Sequence, residues 1–286
     1  MMRRAVVAML GLSAACADPL DQRLAIIDQP RVLAVIAEPA EARPGAMVGY
    51  SAVIASTEGP VTAPPSWAYC TAPKPPTEDN AVSTGCIDDE ALIVLGTAPT
   101  VTGALPADGC IRFGPDVPPG GFRPRAADAS GGYYQPVRVI ADALLAFGLS
   151  RITCKLPTAP GEVALAYDRG YVANANPELE PVSLDRVPAE TAVSLTAAWP
   201  ASSVETYLYY DPMSQTLIDR REAMRVSWFA TGGTIDVDAS AVGEDDDATT
   251  VSTTWHTPAA GTAWLWFVLR DSRGGIAVEA RSITVE

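Results

Sequence analysis

The sequence predicts an all-β protein made of two β-sandwich domains that are joined by a short helical connector. Three observations support this fold class. Short apolar or alternating segments recur along the chain, and turns rich in Gly, Pro and Asp separate them, as is typical of sandwiches. One stretch between the two groups of segments has helical periodicity. Hydrophobic residues make up 48% of the 286 residues, which is enough to build packed cores.

The N-terminus has the organisation of a secretory signal. Residues 1–4 are basic at positions 3 and 4, and the uncharged run 5–15 is shorter than the roughly 20 helical residues that cross a bilayer. The sequence Leu12-Ser13-Ala14-Ala15-Cys16 resembles a bacterial lipoprotein signal, in which the cysteine receives lipid and becomes the new N-terminus. We therefore expect residues 1–16 to be the signal and Cys16 the lipid acceptor. The alternative is ordinary signal cleavage after Ala17.

The first sandwich is predicted over residues 31–157, and the polar residues 17–30 before it indicate a tether. Residues 71–135 are rich in Pro, Gly, Asp and Thr, so we expect a long, elaborated loop there without long helices. The strands of this domain are expected at 31–37, 47–56, 66–70, 137–141 and 144–154.

Four cysteines follow Cys16 in the chain. In an oxidising compartment an even number of thiols suggests two disulfides, and four thiols allow three connectivities. The nearest-neighbour solution joins Cys70 to Cys86 and Cys110 to Cys154. A four-cysteine zinc site is the alternative, although the chain lacks the C-x-x-C pair that such sites use. Disulfides here would stabilise a looped region that cannot bury enough apolar area alone.

The helical stretch between the sandwiches is predicted over residues 158–176, within a connector that spans 158–188. Thr158 can cap the helix, and Pro160 suits its first turn. The side chains of Val163, Tyr167 and Tyr171 recur every four residues and form one apolar stripe. We expect this stripe to pack against a neighbouring domain.

The second sandwich is predicted over residues 189–286, and Trp228 is expected to lie in its core. A final hairpin is indicated by an apolar, aromatic strand, a turn at 271–275 and a returning strand. Its strands are expected at 191–196, 205–210, 224–229, 250–255, 262–269 and 276–285.

Two regions resemble known bacterial domains. Arg43-Pro44-Gly45, with a strand on each side, resembles the first hairpin of bacterial immunoglobulin-like (Ig-like) domains. Residues 225–234, then Trp255-His256-Thr257-Pro258 and the final hairpin, resemble PKD-like and bacterial Ig-like modules. Together with residues 67–75, the chain resembles surface lipoproteins of high-GC Gram-negative bacteria that carry tandem domains of this kind. The resemblance implies Ig-like folds and a role as spacer, adhesin or assembly subunit, and it supplies no catalytic residues.

Charge and residue counts exclude several classes of function. A net charge of -14 would repel a nucleic acid, and the single histidine, His256, excludes multi-histidine metal sites. We predict no cofactor and no catalytic residues. The weak candidates for a calcium site are acidic residues of the second domain, whose oxygen atoms suit Ca²⁺, although a solvated acidic loop is the alternative: Asp236, Asp238, Glu244, Asp245, Asp246 and Asp247.

These observations predict a non-enzymatic, lipid-anchored protein of the outer membrane or cell surface. It would act in structural support, adhesion or protein–protein assembly at the cell envelope, with the membrane and another protein as partners. The alternative is a secreted or periplasmic module that binds carbohydrate or calcium. A hydrolase with paired carboxylates is the third possibility, because such pairs meet only in three dimensions.

Overall fold

The computed structural model describes residues 24–73, 82–89, 91–116, 120, 128–156 and 159–286. Within these ranges the chain forms five sheets and two α-helices, and the predicted all-β class of two sandwiches is confirmed. None of the helices in the described ranges is both long and apolar enough to cross a bilayer.

The first sandwich is built from residues 31–153. Its elements are β1 (Arg31–Glu38), β2 (Glu41–Ala42), β3 (Met47–Ser56), β4 (Gly59–Pro60), β5 (Ser66–Cys70), a 3₁₀ turn (Thr84–Cys86), β6 (Leu92–Thr97), β7 (Thr100–Ala104), α1 (Gly109–Arg112), β8 (Gly132–Ala141) and β9 (Leu144–Thr153). Sheet 1 has the strand order β2–β9–β8–β5–β6. Sheet 2 consists of β1, β4 and β7, each paired with β3. The pairs are antiparallel apart from β2 with β9.

The core of this sandwich lies between sheets 1 and 2. Trp67 and Tyr69 point inward from β5 and meet Tyr50 of β3, whose ring packs edge-on against that of Tyr69. The Tyr69 hydroxyl donates to the Tyr50 hydroxyl at 3.1 Å, which in turn donates to Ser150 at 3.0 Å. Each buried hydroxyl therefore has a partner, and Trp67 also has one because its indole N–H donates to the carbonyl of Ala98.

The region expected to be one long loop contains two strands. Strand β6 extends the edge of sheet 1, and β7 crosses to sheet 2, where it pairs with β3. The expectation of a loop over 71–135 was therefore wrong for 92–97 and 100–104, and also for 132–135, where β8 begins. Gly96, with a φ of +128°, lies in β6 where the register with β5 shifts, and a glycine in so short an apolar run weakens the strand pattern in the sequence.

Two disulfides close the loops of the first sandwich, as predicted, with the nearest-neighbour connectivity. Cys70 at the end of β5 is bonded to Cys86 of the 3₁₀ turn, and Cys110 of α1 is bonded to Cys154 just after β9. The Cα atoms of the two pairs lie 5.4 and 5.8 Å apart. Disulfides form and persist in oxidising compartments, so they support an extracellular or surface location.

The second sandwich is built from residues 186–285. Its elements are β10 (Arg186–Val187), β11 (Ala192–Ala198), a 3₁₀ turn (Ala201–Ser203), β12 (Thr206–Asp211), β13 (Thr216–Arg221), β14 (Met224–Ala230), β15 (Thr234–Ile235), β16 (Ala239–Val242), β17 (Thr250–His256), β18 (Gly261–Asp271) and β19 (Ile276–Val285). Sheet 3 has the order β10–β19–β18–β14–β16, and sheet 4 has the order β11–β17–β15. Strands β12 and β13 form a separate hairpin. Trp199, Trp228 and Trp255 are fully buried between sheets 3 and 4.

The connector contains a helix, α2 (Gly161–Gly170), that is shorter than the predicted 158–176. Pro160 is the N-cap rather than a residue of the first turn, and Thr158 lies outside the described residues. The predicted stripe of Val163, Tyr167 and Tyr171 packs with Tyr210 of the hairpin. After Gly170 the chain is extended, because Tyr171 and Asn174 there reach buried partners in the first sandwich. Residues 171–185 of the proposed connector are therefore not helical.

The segment expected to be a tether packs on the second sandwich in its described part. Residues 25–27 run parallel to the end of β14: Ala230 donates to the carbonyl of Ala25, and Ile27 donates to that of Ala230, both at 2.8 Å. They lie beside the part of β14 that follows Ser227, where the pairing of β14 with β16 ends. The prediction of a tether over 17–30 was wrong here because Ala25-Ile26-Ile27 is apolar, and Ile27 is fully buried.

Candidate functional site

The two sandwiches meet through the outer faces of sheets 2 and 3, so that the four main sheets stack in the order 1, 2, 3, 4. The two faces of strand β18 contact different sandwiches. Leu265, Phe267 and Leu269 point into the core of the second sandwich, whereas the alternating side chains point toward the first sandwich. The interface cluster contains Ile27, Leu33, Ala34, Ala55, Trp266 and Val268, with Ile36, Val53, Phe229, Trp264, Ile276 and Val278 at its margin.

Trp264 and Trp266 are the largest side chains of this interface. Their rings stack with centroids 6.3 Å apart, and Trp266 is fully buried. Gly59, the first residue of β4, lies directly against the ring of Trp264. A Cβ atom at position 59 would lie 2.5 Å from that ring, and the φ of Gly59 is +116°. Glycine is therefore required for this close approach of the two domains.

A buried polar cluster lies beside the apolar layer, where both sandwiches meet the connector. Glu41 is fully buried and forms an ion pair with Arg151 at 3.0 Å. The same carboxylate accepts hydrogen bonds from the Tyr171 hydroxyl at 2.6 Å and from the backbone N–H of Asn174 at 3.0 Å. One carboxylate of the first sandwich thus holds the connector in place.

Arg273 is the centre of the second part of this cluster. It lies in the turn between β18 and β19, where its guanidinium donates to Glu222 at 2.6 Å and to Glu205 at 2.8 Å. It also donates to the backbone carbonyl of Val172 in the connector at 3.0 Å and lies over the ring of Tyr207. This one side chain therefore joins the final hairpin, the β12–β13 hairpin and the connector.

Asp271 shapes the same turn. Its carboxylate accepts hydrogen bonds from the backbone N–H groups of Arg273 at 2.8 Å and Gly275 at 2.9 Å, and from the side chain of Asn174 at 3.2 Å. Gly275 is required because a Cβ atom there would lie 2.1 Å from the Asp271 carboxylate. The turn that the sequence predicts at 271–275 is thereby tied to the connector.

The cluster holds four carboxylates and two guanidinium groups: Glu41, Glu205, Glu222 and Asp271, with Arg151 and Arg273. Burial, and then the nearby charge of Asp271, raise the pKa of Glu222 to about 7. Burial lowers the pKa of Arg273, but the hydrogen bond and charge of Glu222 outweigh it, so the net shift is upward. Buried ion pairs of this kind add little net stability. Our hypothesis for this interface is that they impose one geometry on the groups they join.

The acidic residues predicted as weak calcium ligands are not brought together as a metal site. In the described part of the chain, no group of three His, Cys, Asp or Glu residues is arranged to hold a metal ion. Glu244 instead accepts from Arg220 Nε at 2.8 Å, Asp247 pairs with Arg221 at 3.3 Å, and Asp236 is bonded to His256 at 2.8 Å. The backbone carbonyl of Asp238 accepts from the N–H of Trp228.

The predicted lipid acceptor, Cys16, lies outside the described residues. The interface residues were not predicted from the sequence. Arg151 was the available signal, because an arginine inside a largely apolar strand requires a buried partner. Its partner, Glu41, follows Ala40 in a short segment that has no strand pattern of its own.

Comparisons with known proteins identify no family. No protein-family model matches the chain, and no curated protein matches it. Solved structures that resemble it include the fibronectin(III)-like modules of CbhA from Clostridium thermocellum, at 13% identity and a TM-score of 0.23, covering 90% of this chain and 94% of that one. The D0–D1 domain of intimin has 9% identity and a TM-score of 0.23, covering 89% and 99%. The tandem V-type regions of VCBP3, a chitin-binding protein, have 10% identity and a TM-score of 0.28, covering 89% and 100%. Similarities this low assign neither a function nor a partner to the chain.

Proposed function

We propose that this chain is a non-enzymatic, lipid-anchored protein of the cell surface that acts in structural support, adhesion or protein–protein assembly at the cell envelope. The observation that carries the proposal is the interface of sheets 2 and 3. An apolar layer and a buried ion cluster hold the two sandwiches in one orientation, which suits a part that transmits force or presents a fixed surface.

The anchor is supported by the signal-like N-terminus that ends at Cys16 and by the two disulfides, which fit an exported protein. Several acyl chains on one cysteine would hold the protein stably on a membrane, whereas a single chain would be marginal. The net charge of -14 keeps the folded part in solution and away from anionic lipid headgroups. The proposed location is the outer membrane or the cell surface.

Metabolic labelling with palmitate tests the anchor. Wild-type protein is expected to take up label and to fractionate with the membranes, whereas Cys16→Ser is expected to remain unlabelled. Ser13→Ala is the matched control, because it alters a neighbouring small residue and leaves the acceptor thiol in place. Equal labelling of wild type and Cys16→Ser, or no labelling of either, would contradict lipidation.

The assembly role is tested by crosslinking in intact cells, followed by mass spectrometry. We expect wild-type protein to give a discrete crosslinked species with one envelope component, and Trp266→Ala, which weakens the interface, to lose it at equal abundance. Leu165→Ala is the control, since Leu165 is 60% exposed on α2. An unchanged species in Trp266→Ala would show that the fixed orientation of the sandwiches is not needed for assembly.

A further inference from the structure

Two arginines lie directly opposite each other on neighbouring strands of sheet 3. Arg225 of β14 is in register with Arg270 of β18, and both point outward on the face that is turned toward the first sandwich. Their next neighbours along this row are Ala241 of β16 and Ile276 of β19. Like charges directly opposite each other in a sheet repel and destabilise it, so the pair has no structural advantage by itself.

Neither arginine forms an ion pair with a carboxylate of the described residues. Arg270 uses one donor, because its Nη2 donates to the backbone carbonyl of Leu33 at 2.6 Å. A guanidinium has five N–H donors, so most of those of Arg270 stay available. Burial, and then the charge of Arg225, lower the pKa of Arg270, which is the direction expected for a cation without a counter-charge. In a chain of net charge -14, such a pair is unusual.

Arg270 lines a cleft of about 380 Å³ between the two sandwiches. Its walls are largely apolar: β1 contributes residues 32–35, β9 contributes residues 146–149, and Ile276 closes one side. The polar lining includes Tyr134, Ser272 and Asp271, and the Asp271 carboxylate is already engaged by Arg273, Gly275 and Asn174. The volume is at the small end of the roughly 300–1,000 Å³ that ligand sites occupy.

We propose that this cleft binds a single-chain fatty carboxylate, with the carboxylate on the guanidinium of Arg270 and the aliphatic chain along the apolar walls of β1 and β9. The guanidinium fork matches the geometry of a carboxylate, and binding supplies the counter-charge that the arginine pair lacks. The cleft volume suits one chain rather than the two chains of a phospholipid. This site is independent of the lipid anchor proposed at Cys16.

Isothermal titration calorimetry on the full mature chain tests the site, with decanoate below its micelle concentration as the probe. We expect saturable binding of one decanoate per chain. Acetate, which has the head alone, and decyl maltoside, which has the tail with a neutral head, are expected to bind at least tenfold more weakly. Acetate binding as tightly as decanoate would overturn a fatty ligand, and equal binding of decyl maltoside would overturn the role of the arginines.

Two charge variants locate the head of the ligand. Arg270→Gln is expected to weaken decanoate binding at least tenfold, which corresponds to about 1.4 kcal/mol. Arg225→Gln removes a neighbouring positive charge outside the cleft lining and is expected to weaken binding less than Arg270→Gln does. Arg186→Gln is the control, because Arg186 is an exposed arginine that pairs with Glu286, and neither residue lines the cleft. If Arg270→Gln does not fold, the comparison of decanoate with decyl maltoside still tests the role of the guanidinium, because the two probes differ in the charge of the head. Absence of saturable binding, or equal binding by wild type and a folded Arg270→Gln, would overturn the proposal.

Discussion

The first sandwich surrounds its core of Tyr50, Trp67 and Tyr69 with long connections and closes them with two disulfides, whereas the second contains no cysteine and buries three tryptophans. The connections of the second sandwich are short, and its longest strands, β18 and β19, form one continuous hairpin. Ordering a long connection costs conformational entropy, and the first sandwich offsets part of that cost by covalent crosslinks. The second obtains its stability from aromatic burial instead.

Truncating a core tryptophan should have the largest effect. Trp228→Ala removes a fully buried ring that packs edge-on against Phe267, so we expect a loss of about 3–5 kcal/mol in the free energy of unfolding. Hydrogen exchange should show the loss of protection first in 224–285. Trp264→Ala is the control, because that ring is only partly buried and belongs to the interface. Equal loss of protection in 31–153 would contradict an independent core in the second sandwich.

Removing the disulfides should have the next largest effect and should act on the first sandwich. The Cys110–Cys154 bond closes 44 residues and the Cys70–Cys86 bond closes 16, so the chain-entropy model gives losses of about 4 and about 3 kcal/mol. We expect Cys110→Ser/Cys154→Ser to be less stable than Cys70→Ser/Cys86→Ser in urea unfolding. The reverse order, or a loss of exchange protection mainly in 186–285, would show that the crosslinks do not act on the first sandwich.

The buried cluster should make stability depend on pH. The pKa of Glu222 is about 7 in the folded protein, above its ordinary value near 4.5, so the folded state holds this proton more tightly. The contribution of Glu222 to the free energy of unfolding is therefore fully present below about pH 4.5 and is lost as pH rises to about 7. It amounts to about 3 kcal/mol in total. Glu222→Gln should remove this part of the pH dependence in urea titrations between pH 4.5 and 8.

Glu244→Gln is the matched control for that experiment. Its hydrogen bond to Arg220 lowers the pKa of Glu244, so the sign is opposite: its contribution is present above the ordinary pKa and is lost as pH falls. If the stability of Glu222→Gln depends on pH in the same way as that of wild type, Glu222 is not the source of this pH dependence.

The strands were predictable wherever the pattern was local. Strand β3 and the final hairpin follow from alternation, an apolar run and a turn sequence. The sequence of the final hairpin also indicates, more weakly, that the sandwiches stack. Its unbroken apolar run 263–269 fits a strand that is buried on both faces. Strand β13 has a polar sequence and was missed, because it is stabilised by pairing with β12 rather than by its own burial.

The buried cluster was not predictable from one sequence. Glu41 and Tyr171 are 130 residues apart, and Glu222 and Arg273 are 51 apart, so no spacing rule relates them. The pairing of Arg225 with Arg270 depends on the register of β14 and β18, which the sequence pattern leaves open. Local periodicity specifies which residues are buried but not which buried charges meet.

The smallest expected effect concerns the arginine pair. Removing one of two like charges that face each other across strands should relieve repulsion, so Arg225→Gln should stabilise the ligand-free protein by about 0.2–1 kcal/mol. Arg225→Lys keeps the charge and should leave the melting temperature close to that of wild type. A lower melting temperature for Arg225→Gln would show that Arg225 has a favourable partner.

The position of residues 25–27 has a consequence for biogenesis. Their backbone partner, Ala230, is made only after the whole first sandwich and the connector have left the ribosome. An exported chain passes through its translocase from the N-terminus. Residues 25–27 therefore stay unpaired until strand β14 has also crossed. Contacts of such long sequence separation form slowly. The segment is therefore a point at which a chaperone or protease has time to act before the two sandwiches pack together.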